Sequence, residues 1–63
     1  MIVWAIKTKD NLYECVDVNG EIYFGLIYSA ELYVFERTAK IEIKCRELKD
    51  CKPVKVKIEE VEE

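Results

Sequence analysis

Few side chains in this 63-residue chain could do chemistry, and their types and spacing point away from catalysis. There is no histidine, which removes the commonest general base and the commonest metal ligand. Ser29 is the only serine, and no base motif accompanies it, so its hydroxyl reads as a turn or cap group. Cys15, Cys45 and Cys51 form no CxxC pair, and the six-residue step between the last two is not a zinc spacing. An odd number of thiols without a motif predicts reduced, idle cysteines in a cytoplasmic chain. Gly20 and Gly25 make no phosphate loop. The expectation is a protein that is not an enzyme and holds neither metal nor cofactor.

The elements that would position any binding group start from Asp17-Val18-Asn19-Gly20. Two turns compete there. A two-residue Asn19-Gly20 type I′ turn would pair Val16 with Tyr23 and split the apolar residues between two faces. A three-residue loop, Val18-Asn19-Gly20, closes a type I turn with a left-handed glycine and has the preferred residues at each position. It pairs Cys15 with Tyr23 and Tyr13 with Gly25, and puts Leu12, Val16, Ile22, Phe24, Leu26 and Tyr28 on one side. Burial favours this second register, because a one-residue slip would move half of that set to the opposite face.

Upstream, Ile2 to Thr8 is β-branched and aromatic and predicts a strand. A second three-residue loop, Lys9-Asp10-Asn11, would pair Trp4 with Val16 and Ile6 with Glu14, adding Ile2, Trp4 and Ile6 to the same even-numbered face. Leu32-Tyr33-Val34-Phe35 reads as a short strand or an extended connector. The segment 38–50 is ambiguous. Its alternation of Ala39, Ile41, Ile43 and Cys45 with charged residues is a strand pattern, whereas Ile41, Cys45 and Leu48 form one helical stripe. A cap at Thr38, the Glu42/Arg46 pair and the helix-forming composition favour a helix with Ile43 on its flank. Pro53 opens a last strand with Val54, Val56 and Ile58 inward, and residues 59–63 are an acidic tail. The fold class expected is α+β: an antiparallel sheet of three to five strands, one helix over its even-numbered face, and a C-terminal strand, in a single domain.

The run Trp4-Ala5-Ile6-Lys7-Thr8-Lys9-Asp10 with Tyr13, then Ala30, Val34-Phe35, Ile41 and Leu48, then Pro53-Val54-Lys55-Val56, resembles short uncharacterised proteins of phages and prophages of Gram-positive bacteria. The resemblance implies a helix in the ambiguous segment and a phage or prophage origin, and it brings no catalytic residues.

Two features remain for function. Glu14 is the one polar residue on the even face; a carboxylate against apolar neighbours could anchor a ligand, while the simpler reading lets it reach solvent or a lysine. The odd face carries Val3, Lys7, Tyr13, Tyr23 and Ile27, with no second helix to cover it, and tyrosines give large contact area with a polar handle. Ordinary cross-strand pairing accounts for such a face equally well. The expected function is a small protein-binding accessory module that docks on a host or phage protein through these five residues. The alternatives are a self-associating homodimer and an acidic mimic of nucleic acid. A net charge of −3 argues against direct nucleic-acid binding, and interspersed lysines argue against the mimic. No apolar run reaches membrane-spanning length and the start lacks the features of a secretory signal, so the expected location is the cytoplasm of a bacterial host.

Overall fold

The computed structural model describes residues 1–61. Four strands, β1 (Ile2–Thr8), β2 (Tyr13–Val16), β3 (Ile22–Gly25) and β4 (Cys51–Lys57), form one antiparallel sheet in the order β3-β2-β1-β4. A 3₁₀ turn at Ile27–Ser29 and the helix α1 (Glu36–Cys45) lie between β3 and β4, and α1 packs against β1 and β4. The architecture is the expected α+β. Of the acidic tail, residues 59–61 are exposed and irregular, and residues 62 and 63 lie outside the described residues.

Both tight loops take the three-residue form. Gly20 has φ +80°, its N–H donates to the Asp17 carbonyl at 3.0 Å, and the Asp17 N–H donates to the Glu21 carbonyl at 2.9 Å. The Asp17 carboxylate is not an idle repulsive charge beside Glu21, because its Oδ1 accepts the N–H groups of Asn19 and Glu21 at 2.8 and 2.9 Å. Cys15 faces Tyr23 and Tyr13 faces Gly25, as the turn chemistry requires. At the first loop Asn11 takes φ 63° and its N–H donates to the Thr8 carbonyl.

The β1/β2 ladder departs from expectation. It is a single pair, Lys7↔Tyr13, after which the strands diverge. The connector fills the fork: Ala30 bridges to Cys15, and Tyr33 takes the place opposite Trp4 that Val16 was expected to hold. The Trp4 and Tyr33 backbones exchange two hydrogen bonds of 2.7 Å.

A sheet with one covered and one bare face was also expected, and β1 overturns it. Val3 and Ala5 on one face and Ile6 on the other are all buried. In the β1/β4 ladder Val3 faces Val56 and Ala5 faces Val54, while Trp4 faces Lys55. Facing residues share a side of the sheet, so the valines of β4 lie with the odd residues of β1, not with Trp4 and Ile6. Lys55 instead stands over the Trp4 ring, 5.9 Å from its centroid. Strand β4 begins at Cys51, two residues before Pro53. Met1 and Ile58 exchange both backbone hydrogen bonds, and alternation from that pair turns the Pro53 nitrogen outward, where no donor is missed.

Helix α1 starts at Glu36, earlier than a Thr38 cap would place it, and its N-cap, Phe35, gives no side-chain hydrogen bond. Glu36 in the first turn favours the positive end of the helix and pairs with Lys40 at 3.4 Å. The expected Glu42/Arg46 pair forms at 2.6 Å. The helix ends in a Schellman arrangement, with the Leu48 N–H on the Ile43 carbonyl and the Glu47 N–H on the Lys44 carbonyl. Glu47 occupies the left-handed position there, at φ 52°. The buried stripe is Ala39 with half-buried Ile43; Ile41 is 59% exposed and Cys45 is exposed, which reverses the expected stripe.

Two stability outcomes follow. A Cβ at Gly20 would meet nothing within 4 Å, so Gly20→Ala is opposed by backbone conformation alone and should lower stability by about 1 kcal/mol in chemical denaturation. Ile43→Ala should cost roughly 1–3 kcal/mol by the same measurement, and Ile41→Ala under about 0.5 kcal/mol. Equal losses at the two isoleucines would contradict the helix phase.

Candidate functional site: an exposed apolar hairpin and connector

The residues buried outright are few: Val3, Ala5, Ile6, Glu14, Cys15 and Ala39. Most large apolar side chains between positions 12 and 35 lie outside that core. Leu12, Tyr23, Phe24, Leu26, Ile27, Leu32 and Phe35 are all exposed, Val34 is 67% exposed and Tyr28 is 82% exposed. The physical cause is the fork. Because β2 leaves β1 after one pair, the connector fills the gap and buries Glu14 and Cys15 of β2, while the outer strand β3 and the connector's own apolar side chains are left in water. The molecule measures 40 × 24 × 22 Å, and its radius of gyration of 11.8 Å exceeds the roughly 10.6 Å of a compact chain this long.

The expected interface residues fall into three groups. Tyr23 and Ile27 are exposed and adjoin the bare connector. Tyr13 and Lys7 are half-buried and face one another across β1 and β2, with the Lys7 ammonium 5.6 Å from the Tyr13 ring centroid. Val3 is 5% exposed and belongs to the core. The ring beside Gly25 is that of Tyr23, whose Cε2 would stand 3.3 Å from a Cβ built there, so the glycine lets Tyr23 lie flat on its own strand.

Charge along this stretch of sequence has one sign up to Arg37, whose guanidinium lies over the Phe35 ring, 5.1 Å from its centroid. Between Lys9 and Arg37 the chain has no basic residue, and its charged positions are Asp10, Glu14, Asp17, Glu21, Glu31 and Glu36. All ten lysines and arginines lie outside that stretch. The hairpin and connector therefore carry exposed apolar side chains with Asp17, Glu21 and Glu31 exposed among them, while Glu14 is buried and Glu36 is paired with Lys40. The segregation of charge is plain in the sequence, but the overall charge of −3 conceals it.

The other chemical groups are structural. Cys15 is buried, with Sγ 3.4 Å from the Tyr13 carbonyl oxygen. Burial, with Asp50 and Glu14 nearby, holds the Cys51 thiol above its ordinary value, which keeps it protonated and unreactive. A cleft of about 290 Å³ lined by Thr8, Lys9, Asp50, Cys51 and Lys52 has one of its two lysines already paired, Lys9 to Asp50 at 3.6 Å. Among the described residues no cluster of three or more acidic, cysteine or histidine side chains could hold a metal, and no helix is long and apolar enough to cross a membrane.

Glu14 neither reaches solvent nor meets a lysine. It is fully buried, its Oε1 accepts the Tyr33 hydroxyl at 2.5 Å, and its Oε2 has no partner. Burial raises its pKa above the ordinary 4.5; the Tyr33 hydrogen bond opposes this, Glu42 and Glu31 add to it, and Arg46 opposes it. Burial and the same carboxylate push the Tyr33 phenol up as well. The fold thus favours a neutral Glu14. For a carboxyl raised in the folded state, its contribution is full below 4.5 and is lost as pH rises through the folded value. Thermal denaturation should show the domain losing stability through this group as pH rises above 4.5. Glu14→Gln, which keeps an acceptor for Tyr33, should flatten that dependence. A profile unchanged in Glu14→Gln would mean that the fold does not raise the Glu14 pKa.

No family model matches this chain, and neither a curated protein nor a solved structure matches it.

Proposed function

We propose that this chain is a small non-catalytic protein-binding module whose docking surface is the apolar connector of residues 26–35 together with Tyr23. The observation that carries the reading is the exposure of Leu26, Ile27, Tyr28, Leu32, Val34 and Phe35 along one continuous segment. Exposed apolar area of that extent on a short chain marks an interaction surface rather than a solvated face. Glu31 within the connector and Glu21 beside Tyr23 are exposed, which favours an occupant whose apolar patch carries lysine or arginine opposite them. The sequence resemblance to phage proteins suggests a host or phage protein in the bacterial cytoplasm as that partner.

The connector can bear such a surface because its backbone is held at three points. The Glu31 N–H donates to the Glu14 carbonyl, Tyr33 pairs with Trp4, and the 3₁₀ turn closes through the Ala30 N–H on the Ile27 carbonyl. A held backbone lowers the ordering cost of binding.

Affinity capture from host extract, followed by purification of the captured protein and titration against variants, tests the proposal. Tyr28→Lys and Val34→Lys should leave the circular dichroism unchanged, because both side chains already stand in water. Each should weaken the purified complex by on the order of tenfold or more, and added salt should weaken the wild-type complex. An affinity indifferent to both substitutions and to salt would overturn the docking surface.

A further inference from the structure

The sheet has two edges, and they differ in kind. On β4 the outward positions are Cys51, Pro53, Lys55 and Lys57: one has no N–H, and two carry exposed lysines. Prolines and lysines on an edge block the addition of another strand. On β3 the Asp17 N–H donates to the Glu21 carbonyl, so alternation turns Glu21, Tyr23 and Gly25 toward β2. The N–H and C=O groups of Ile22 and Phe24 then point away from the sheet. The strand itself, Ile22–Gly25, has no charge, no proline and no bulge. One edge is guarded and the other is open.

We propose that β3 pairs with β3 of a second copy, antiparallel about a two-fold axis at Tyr23, to give a continuous eight-stranded sheet. This goes beyond the connector surface and rests on a separate observation, the unpaired backbone of the edge. The two-fold sets Ile22 opposite Phe24 of the second copy, so the outward groups of both residues on both chains are satisfied. Half-buried Ile22 and 42%-exposed Phe24 then meet as an aliphatic–aromatic cross-strand pair, twice. Charge permits it. Glu21 falls opposite Gly25, and the two copies of Glu21 stand about 13 Å apart along the strands, beyond the ~8 Å screening length at physiological ionic strength. A single competent edge also closes the assembly. The guarded β4 edges face outward, so pairing stops at two copies rather than running on as a filament.

Two variants test this on the intact chain. In sedimentation equilibrium the wild type should be a dimer, and Phe24→Lys should raise the dissociation constant about thirty-fold or more, the equivalent of ~2 kcal/mol. In a background with Cys15→Ala, which removes the thiol facing position 23, and Cys45→Ser, Tyr23→Cys should form a disulfide-linked dimer in a glutathione redox buffer. Val18→Cys, at the exposed hairpin tip, should not. If Phe24→Lys fails to fold, the crosslinking comparison decides. A wild type monomeric at every concentration overturns the dimer and leaves the connector surface to its own test. A folded Phe24→Lys that remains dimeric, or crosslinking at Val18→Cys equal to that at Tyr23→Cys, overturns the β3 pairing.

Discussion

The antiparallel pairing of Trp4 with Tyr33 is the contact on which the rest of the structure depends. A central strand needs partners for its backbone on both sides, and β1 has β4 along one side throughout. On its other side β2 supplies one pair, and Tyr33 supplies two further hydrogen bonds. With those groups satisfied, nothing obliges β2 to follow β1, and the hairpin departs. The same insertion carries the Tyr33 hydroxyl to Glu14, which explains how a carboxyl can be fully buried in so small a body. Backbone topology, buried polar pair and exposed apolar surface have one cause.

The second constraint is size. A chain of this length buries only about 60% of its unfolded surface, and here the buried set has to serve both faces of β1. Val3 and Ala5 on one side and Ile6 on the other are spent on that core, and of the apolar side chains of β1 only exposed Ile2 and half-buried Trp4 remain. Ala39 is the buried residue of α1, and a small side chain suits a helix packed against two strands at once. What remains for the aromatic and branched residues of 22–35 is the surface. Their exposure is a consequence of a core that is already complete.

Local chemistry explains what could be read from the sequence and what could not. Both loops were legible because each is decided within five residues: Asp17, Asn19 and Gly20 fix one, and Asn11 tolerates the left-handed position in the other. The hairpin register followed from the turn. The insertion of Tyr33 was not legible, since a two-residue bridge between positions 4 and 33 has no periodicity and the alternation of β1 fits either partner equally well. The β4 register depends on where the chain re-enters after Asp50, another left-handed residue at φ 58°. The helix itself was legible from composition and ion pairs. Its phase was not, because the i,i+4 sets starting at Ala39 and at Ile41 are both apolar, and only the neighbouring strands choose between them. The exposed Tyr23 and Ile27 were found from residue type, whereas Tyr28 and Val34 were missed because the even-numbered face was assumed to close over Tyr28.

The β2–β3 hairpin meets the body at the Lys7↔Tyr13 pair, at the Cys15–Ala30 bridge and through Tyr33, and the last two involve the connector. The hairpin supplies Glu14 and Cys15 to the buried set, so these contacts tie it to the core. The buried Glu14–Tyr33 hydrogen bond sits at that junction, and ionisation of Glu14 would place an unpaired charge where hairpin and body meet. The Glu14–Tyr33 pair and the connector backbone thus bear on the same junction.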